Sequence, residues 1–368
     1  MEEDRADIDP SRIYDVDDLS ESPLEAAYNG YVRRKRTFML ICIAILFLVV
    51  IFALSKGGLD ISFADVLRYL FTFDTDGMGR VVWNIRMVRT IAAVCVGAGL
   101  AVCGTSMQCI LKNPLASPYT LGLSSAAAFG AAFAIMFLQG GSTNTSSIDF
   151  SNPYLVTISA FISSMVATGA ILLLTRVTKV SAETLVLAGV AISAIFSAAM
   201  NAMQYFADSI QLSNMVSWTF GDLGRATWTW DFVVFAALIL ASIYFIYHRW
   251  SYNAMDAGEE TASSLGINTK RLRLEGMIIS SLLCSILVSF FGIIAFVGLL
   301  GPHIARMLIG ADHRYLIPTS MILGALILLV SDTFGRLIIE PAVLPVGILT
   351  SMLGGPLFIY LLIRRYRR

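Results

Sequence analysis

Two arginines one helical turn apart, Arg86 and Arg89 in VVWNIRMVRTIA (81–92), are the residues of this chain best placed to do chemistry. A guanidinium stays charged and can hold a carboxylate through two parallel hydrogen bonds. The pair stands at the mouth of an apolar run that continues to about Met107. It can therefore fasten an acidic partner or reach out to lipid headgroups. Other reactive types are thinly spread. His248, His303 and His313 are scattered, and neither H-E-x-x-H nor a Ser/His/Asp constellation occurs. No G-x-x-x-x-G-K-[ST] is present to cradle a phosphate. Cys42, Cys95, Cys103, Cys109 and Cys284 fall in or at the ends of apolar runs without C-x-x-C spacing, and read as small buried hydrophobes. The sequence predicts no catalytic residue, no metal ligands and no cofactor held by this chain.

The elements that must position the arginines are membrane spans. The chain is 57% hydrophobic and 14% charged, with a mean hydropathy of +0.74. Soluble domains carry about 25% charged residues. Runs near 37–55, 90–109, 120–138, 154–175, 184–206, 232–248, 275–294, 296–309, 316–332 and 347–363 predict an all-α polytopic membrane protein of about ten transmembrane helices. Ten of the 26 acidic residues lie in the first 25 positions, so 1–36 reads as an acidic, disordered cytoplasmic tail. The transmembrane body then covers 37–368. Arg33 to Arg36, Lys112, Arg176, Lys179, Arg249, Lys270, Arg271, Arg273, Arg314 and the closing RRYRR fall on one side of such a topology. The positive-inside rule makes that side, with both termini, cytoplasmic. Arg80, Arg86, Arg89, Arg225 and Arg336 are then external exceptions.

Acidic residues avoid the span centres: Glu183, Glu275 and Asp332 lie at ends, which counts against an ion-coupled carrier. Small residues such as Gly97, Gly99 and Gly104 allow close helix packing. A weakly polar set, Gln108, Ser193, Ser197 and Asn201, could instead line a path for a bulky solute. The most polar internal stretch is MDAGEETASSLGINTKRLRLEG (255–276). Within it 255–265 reads as one short amphipathic helix stopped by Gly266, either a solvated loop or a docking helix.

Four stretches in order, IRMVRTIAAVCVGAGLAVCGTSMQCILKNPLASPYTLGLSSAAAFG (85–130), GEETASSLGI (258–267), AFVGLLGPHIARMLIGADHRYLIP (295–318) and SDTFGRLIIEPAVLPVGILTSMLGGPLFIYLL (331–362), resemble FecCD-type permeases. These are the membrane subunits of binding-protein-dependent ABC importers for iron–siderophore complexes, haem and cobalamin. The resemblance implies a type II ABC importer permease architecture in the cell membrane. It implies a second permease copy or paralogue, two cytoplasmic ATPases carrying ATP–Mg, an extracytoplasmic solute-binding protein and surrounding lipid, with no nucleic acid. Gly258, Glu259, Ala262, Leu265 and Gly266 fall on the family's ATPase-coupling region. Arg86, Arg89 and Arg336 fall on basic positions that meet acidic knobs of the binding protein, although Met87-Val88 replaces the usual x-P of R-x-P-R. Asn113, Pro114, Pro118, Gly301, Pro302, His303 and Arg306 belong to the family's structural motifs.

Overall fold

The structure, a computed structural model, describes residues 23–72, 77–138, 152–177, 182–339 and 342–366. The chain divides into two compact units, 1–41 and 42–368, with the boundary inside the first helix. In the first unit, helix begins at Pro23, so 23–36 is helical and not the irregular tail expected there; residues 1–22 lie outside the described residues. Proline is well suited to the first helical position, where its missing N–H is not needed.

The elements run α1 (Pro23–Ser55), α2 (Phe63–Thr72), α3 (Met78–Val81), a π-helical segment Val82–Met87, α4 (Val88–Ile110), a 3-10 turn Pro118–Leu121, α5 (Leu123–Phe137), α6 (Pro153–Val177) and α7 (Ala182–Phe206). They continue with α8 (Ser209–Thr219), a 3-10 turn Leu223–Arg225, α9 (Trp228–Tyr247), α10 (Arg249–Ala257), α11 (Glu259–Ser264), α12 (Thr269–Phe291), α13 (Val297–Ile309), α14 (His313–Leu337) and α15 (Val346–Tyr366). Among the described residues, seven helices are long and apolar enough to cross a membrane, and three shorter apolar ones lie over Leu123–Phe137, Val297–Ile309 and Val346–Tyr360. Together these match the ten spans expected. Residues 139–151, between α5 and α6, lie outside the described residues.

Within the second unit α4 is the axis. Nearly every residue from Thr90 to Ile110 is buried, and α9, α12, α13 and α14 pack around it. Such packing needs backbones that nearly touch. A Cβ added at Gly104 would stand 1.7 Å from the Gly298 carbonyl oxygen of α13. One added at Gly97 would stand 2.4 Å from the Gly324 carbonyl oxygen of α14. In lipid there is little hydrophobic drive between helices, so this close contact is what holds them.

Two short apolar helices follow irregular chain that is partly buried in protein. Irregular backbone at membrane depth is tolerated only where it is so covered. Before α5, Asn113 Oδ1 accepts the Leu115 N–H at 2.9 Å, and Ser117 and Thr120 cap each other's backbone around Pro118. Before α13, the Ile294 carbonyl accepts the Tyr119 hydroxyl at 2.9 Å, tying the two irregular segments together. Asn113, Pro114 and Pro118 thus sit in a turn whose polar groups are satisfied locally. Gly301 packs on Ala101 of α4, Pro302 lies inside α13, and His303 meets the Phe358 ring edge-on at 6.3 Å.

Gly104→Ala is expected to lower stability by about 1–3 kcal/mol, because the new methyl meets backbone that cannot yield. Gly169→Ala, at a helical glycine with nothing within 4 Å, should be neutral or gain up to about 1 kcal/mol. Melting of both variants in one detergent checks the pair; equal shifts would refute the close-contact account.

Candidate functional site

The three arginines meet, but around groups of their own chain. Arg89 Nε donates to both oxygens of Asp332 at 2.9 and 3.1 Å, and Arg89 Nη2 lies 2.8 Å from Oδ1. Arg336 Nε lies 3.2 Å from Asp332 Oδ2. The Asp332 side chain has no exposed surface, and Asp222 stands 3.7 Å from Arg89 on the other side. Arg86 donates to the carbonyls of Leu54, at 2.7 Å, and Leu59, while Arg336 reaches Ala53 and Lys56 at 3.3–3.4 Å. Ala53 and Leu54 belong to the last turn of α1, whose carbonyls lack helical partners and favour cations. The π-helical segment Val82–Met87 carries Arg86; its wider turn changes the direction of a side chain relative to a regular helix.

Arg86 is only 5% exposed. A surface pair open to a partner is therefore not what the structure presents. Asp332 and the end of α1 take up the hydrogen bonds that an acidic knob would need, because leaving buried guanidiniums unpaired would be costly. Exposed arginines within about twenty residues before Arg86 include Arg68 on α2 and Arg80 on α3.

The other end of α4 carries the polar segment. The helix expected over 255–265 is two helices: Gly258 has φ +134 and separates α10 from α11. Gly266, at φ +80, stops α11 as expected, and its N–H donates to Ser263 while that of Ile267 donates to Ala262. The residues expected in the coupling region differ in exposure and partners. Ala262 is fully buried and anchors α11; it cannot be a contact residue. Glu259 is paired with the buried Arg273 of α12. Leu265 is 67% exposed and stands beside Gly266.

Helix α10 is clamped on two sides. The Tyr252 hydroxyl lies 3.1 Å from Ser106 Oγ of α4, and its ring stacks on His313 at 5.6 Å. Burial pushes that phenol well above its usual pKa. Asn253 donates to Asp312 at 3.0 Å and accepts from the His313 backbone N–H at 2.7 Å. Burial alone would raise the Asp312 pKa, but Arg314 and Asn253 hold it down at about 2. Arg306 lies 3.7 Å from Asp256.

The predicted path residues separate. Gln108 is 3% exposed and wedged against the Leu299 carbonyl of α13, so it lines no surface of this chain. Ser193 packs beside Gly122. Ser197 bonds Ser125 of α5 at 3.3 Å, and Asn201 is exposed on the same helix, α7. Exposed Val190, Ile195 and Tyr205 share that helix. Sequence reasoning missed α8, where Ser209, Ser213 and Ser217 recur every fourth residue along an open groove of about 470 Å³. That period in SIQLSNMVSWT was a readable signal.

Asp332→Asn is expected to remove the charge opposite Arg89 and Arg336 and cost about 3–5 kcal/mol, since both guanidiniums stay buried. A melting temperature within a degree of the parent would contradict the network.

A model of the FecCD transport family matches residues 45–364. A Methanocaldococcus jannaschii protein carrying an ABC transporter permease name is 52% identical over 93% of this chain and 98% of its own length. The hemin transport system permease protein HmuU of Yersinia pestis is 37% identical over 87% of this chain and 94% of its own. A solved structure described as an inward-facing conformation of a metal-chelate type ABC transporter superposes with a TM-score of 0.78 at 28% identity, covering 89% of this chain and 99% of that one. With the family model spanning the membrane body, and both the arginine cluster and the α10–α11 segment inside the matched residues, the chain belongs to the FecCD transport family.

Proposed function

We propose that this chain is the permease subunit of a binding-protein-dependent ABC importer that carries an iron–siderophore or related metal chelate. The observation that carries the reading is the α10–α11 segment. A short helix bearing an exposed Leu265 is joined, through Gly258, to a helix clamped on α4 and α14. Such a piece can receive a push from an ATP-hydrolysing partner and pass it to the core. Two cytoplasmic ATPases holding ATP–Mg would meet α11 through Glu260, Thr261, Ser264 and Leu265, all exposed. Both termini are then cytoplasmic, and the arginine end faces out.

The path is proposed to lie between this chain and a second copy or paralogue, along α7 and the hydroxyl-bearing side of α8. Leu187, Val190 and Ile195 on α7 and Leu212, Val216 and Phe220 along α8 would give such a path mostly apolar walls, with Ser209, Ser213 and Asn201 as its polar points. The hemin name of the Yersinia relative favours haem as the second reading. For the binding protein, Arg86, Arg89 and Arg336 are proposed to hold the rim in shape, with Arg68 and Arg80 closer to a docking acid. Opposed charges at such a rim act mainly on encounter and orientation.

Proteoliposomes containing the chain, its ATPase and its binding protein should take up a ferric siderophore only with ATP; haem and cobalamin are compared in the same assay. Uptake driven by an ion gradient without the ATPase would overturn the importer reading. Leu265→Asp should cut ATP-driven uptake tenfold or more with the melting temperature unchanged, and unaltered uptake would remove α11 from the contact. Arg89→Glu should lose stability along with uptake. Weakened binding-protein affinity at full stability would instead restore a direct docking role to Arg89.

A further inference from the structure

Cys109, Asp256 and His313 come from three helices, α4, α10 and α14, and are far apart in sequence. One ligand atom from each, the thiol sulfur, a carboxylate oxygen and an imidazole nitrogen, all lie within 4.8 Å of one another. His313 Nδ1 is 3.6 Å from Asp256 Oδ2. The Cys109 thiol interacts with the same carboxylate.

The three donors are held but not used up. The nearest cation to Asp256, Arg306 Nη1, stands at 3.7 Å, beyond hydrogen-bond length. The thiol has a long 3.5 Å contact with the Tyr252 carbonyl. His313 faces Asp256 through Nδ1, which is therefore its ligand atom, and Nε2 carries the ring proton. The ring is fixed in place by the Tyr252 stack on one face and by Asn253 Oδ1, which accepts the His313 backbone N–H and lies 3.2 Å from Nδ1. A fixed ring presents its nitrogen to an ion with little loss of freedom.

We propose that Cys109, Asp256 and His313 form a site for a borderline divalent transition cation of the Zn²⁺ or Fe²⁺ class, which clasps α10 to α4 and α14. The donor set selects that class. Mg²⁺ and Ca²⁺ take oxygen ligands, whereas thiolate and imidazole together favour first-row transition ions. Bonds of about 2.0–2.3 Å in a tetrahedron require donors roughly 3.3–3.8 Å apart, so the group closes slightly on binding. Asp256 is the member able to move, with its side chain 24% exposed near the end of α10. The ion displaces the thiol proton to solvent as the Cys109 sulfur becomes a ligand. Three protein ligands leave a fourth position for water, the mark of an exchangeable site.

Position gives the site a consequence. Asp256 lies two residues before Gly258, the break between α10 and α11. An occupied site therefore stiffens the helix next to the proposed ATPase contact. That consequence rests on the function proposed above, whereas the binding itself does not.

The test uses the full chain, purified in detergent on a histidine-free tag, with Co²⁺ as the probe. Wild type should show one equivalent of Co²⁺ with a thiolate-to-cobalt charge-transfer band in the near ultraviolet, displaced by Zn²⁺. Cys109→Ser should abolish the band; Cys103→Ser and Cys284→Ser should keep it. Asp256→Asn and His313→Gln should each weaken Co²⁺ affinity at least tenfold. Asp256→Asn decides the matter if Cys109→Ser fails to fold, because its side chain is partly exposed. No band in the wild type, a band surviving Cys109→Ser, or unchanged affinity in Asp256→Asn would each overturn the proposal.

Discussion

Asp332 sits with no exposed surface between Arg89 and Arg336, and the second of these guanidiniums goes on to the carbonyls that end α1. Taking such charges out of water costs several kcal/mol per ion, which the pairing recovers only with good geometry and further hydrogen bonds. Arg89 is bidentate on Asp332, Arg336 adds contacts of 3.3–3.4 Å to the Ala53 and Lys56 carbonyls, and Arg86 holds those of Leu54 and Leu59. This ties the start of α4, the end of α14 and the end of α1 at one point. Since α14 also packs along α4 through the Gly97–Gly324 contact, the register of the two helices is set twice, once by charge and once by backbone shape.

From Arg89 to Cys109 the axis helix rises about 30 Å, the thickness of a bilayer's hydrocarbon core. Its far end is tied just as closely, by Ser106 to Tyr252 and, through Asn253, to the cap of α14. A helix fixed at both ends and closely packed between them does not bend; it moves as a rod or not at all. The parts held by fewer contacts are α11 beyond Gly258 and the exposed faces of α7 and α8.

The spans were legible because an apolar stretch near 20 residues is a local signal that needs no partner to interpret. Helices α2 and α8, of 10 and 11 residues, carry too few apolar residues to register as crossings, and their placement depends on packing. Arg86 and Arg89 were visible as types in an odd place, yet their partners were not. Asp332 is 243 residues from Arg89, and the carbonyls of α1 carry no sequence mark at all. The motif GEETASSLGI marks the segment but not which of its residues face out: Ala262 and Leu265 differ by three positions, nearly one turn, and of the two only Leu265 is exposed.

Under the proposed coupling, a push on α11 would arrive beside Gly258, where Tyr252 and Asn253 fix α10 to α4 and the start of α14. The displacement would then pass to α4 and α14 as a body. At their other end it would reach the Asp332 cluster, where Arg86 and Arg336 hold the terminus of α1 through hydrogen bonds to carbonyls and Arg89 holds Asp332. Such bonds are directional but individually modest, about 1.5–3 kcal/mol for a charged donor. They can re-form one residue along a chain end while the ion pairs at Asp332 remain intact. The buried charge fixes which helices move together, and the softer carbonyl contacts are where that movement can be released.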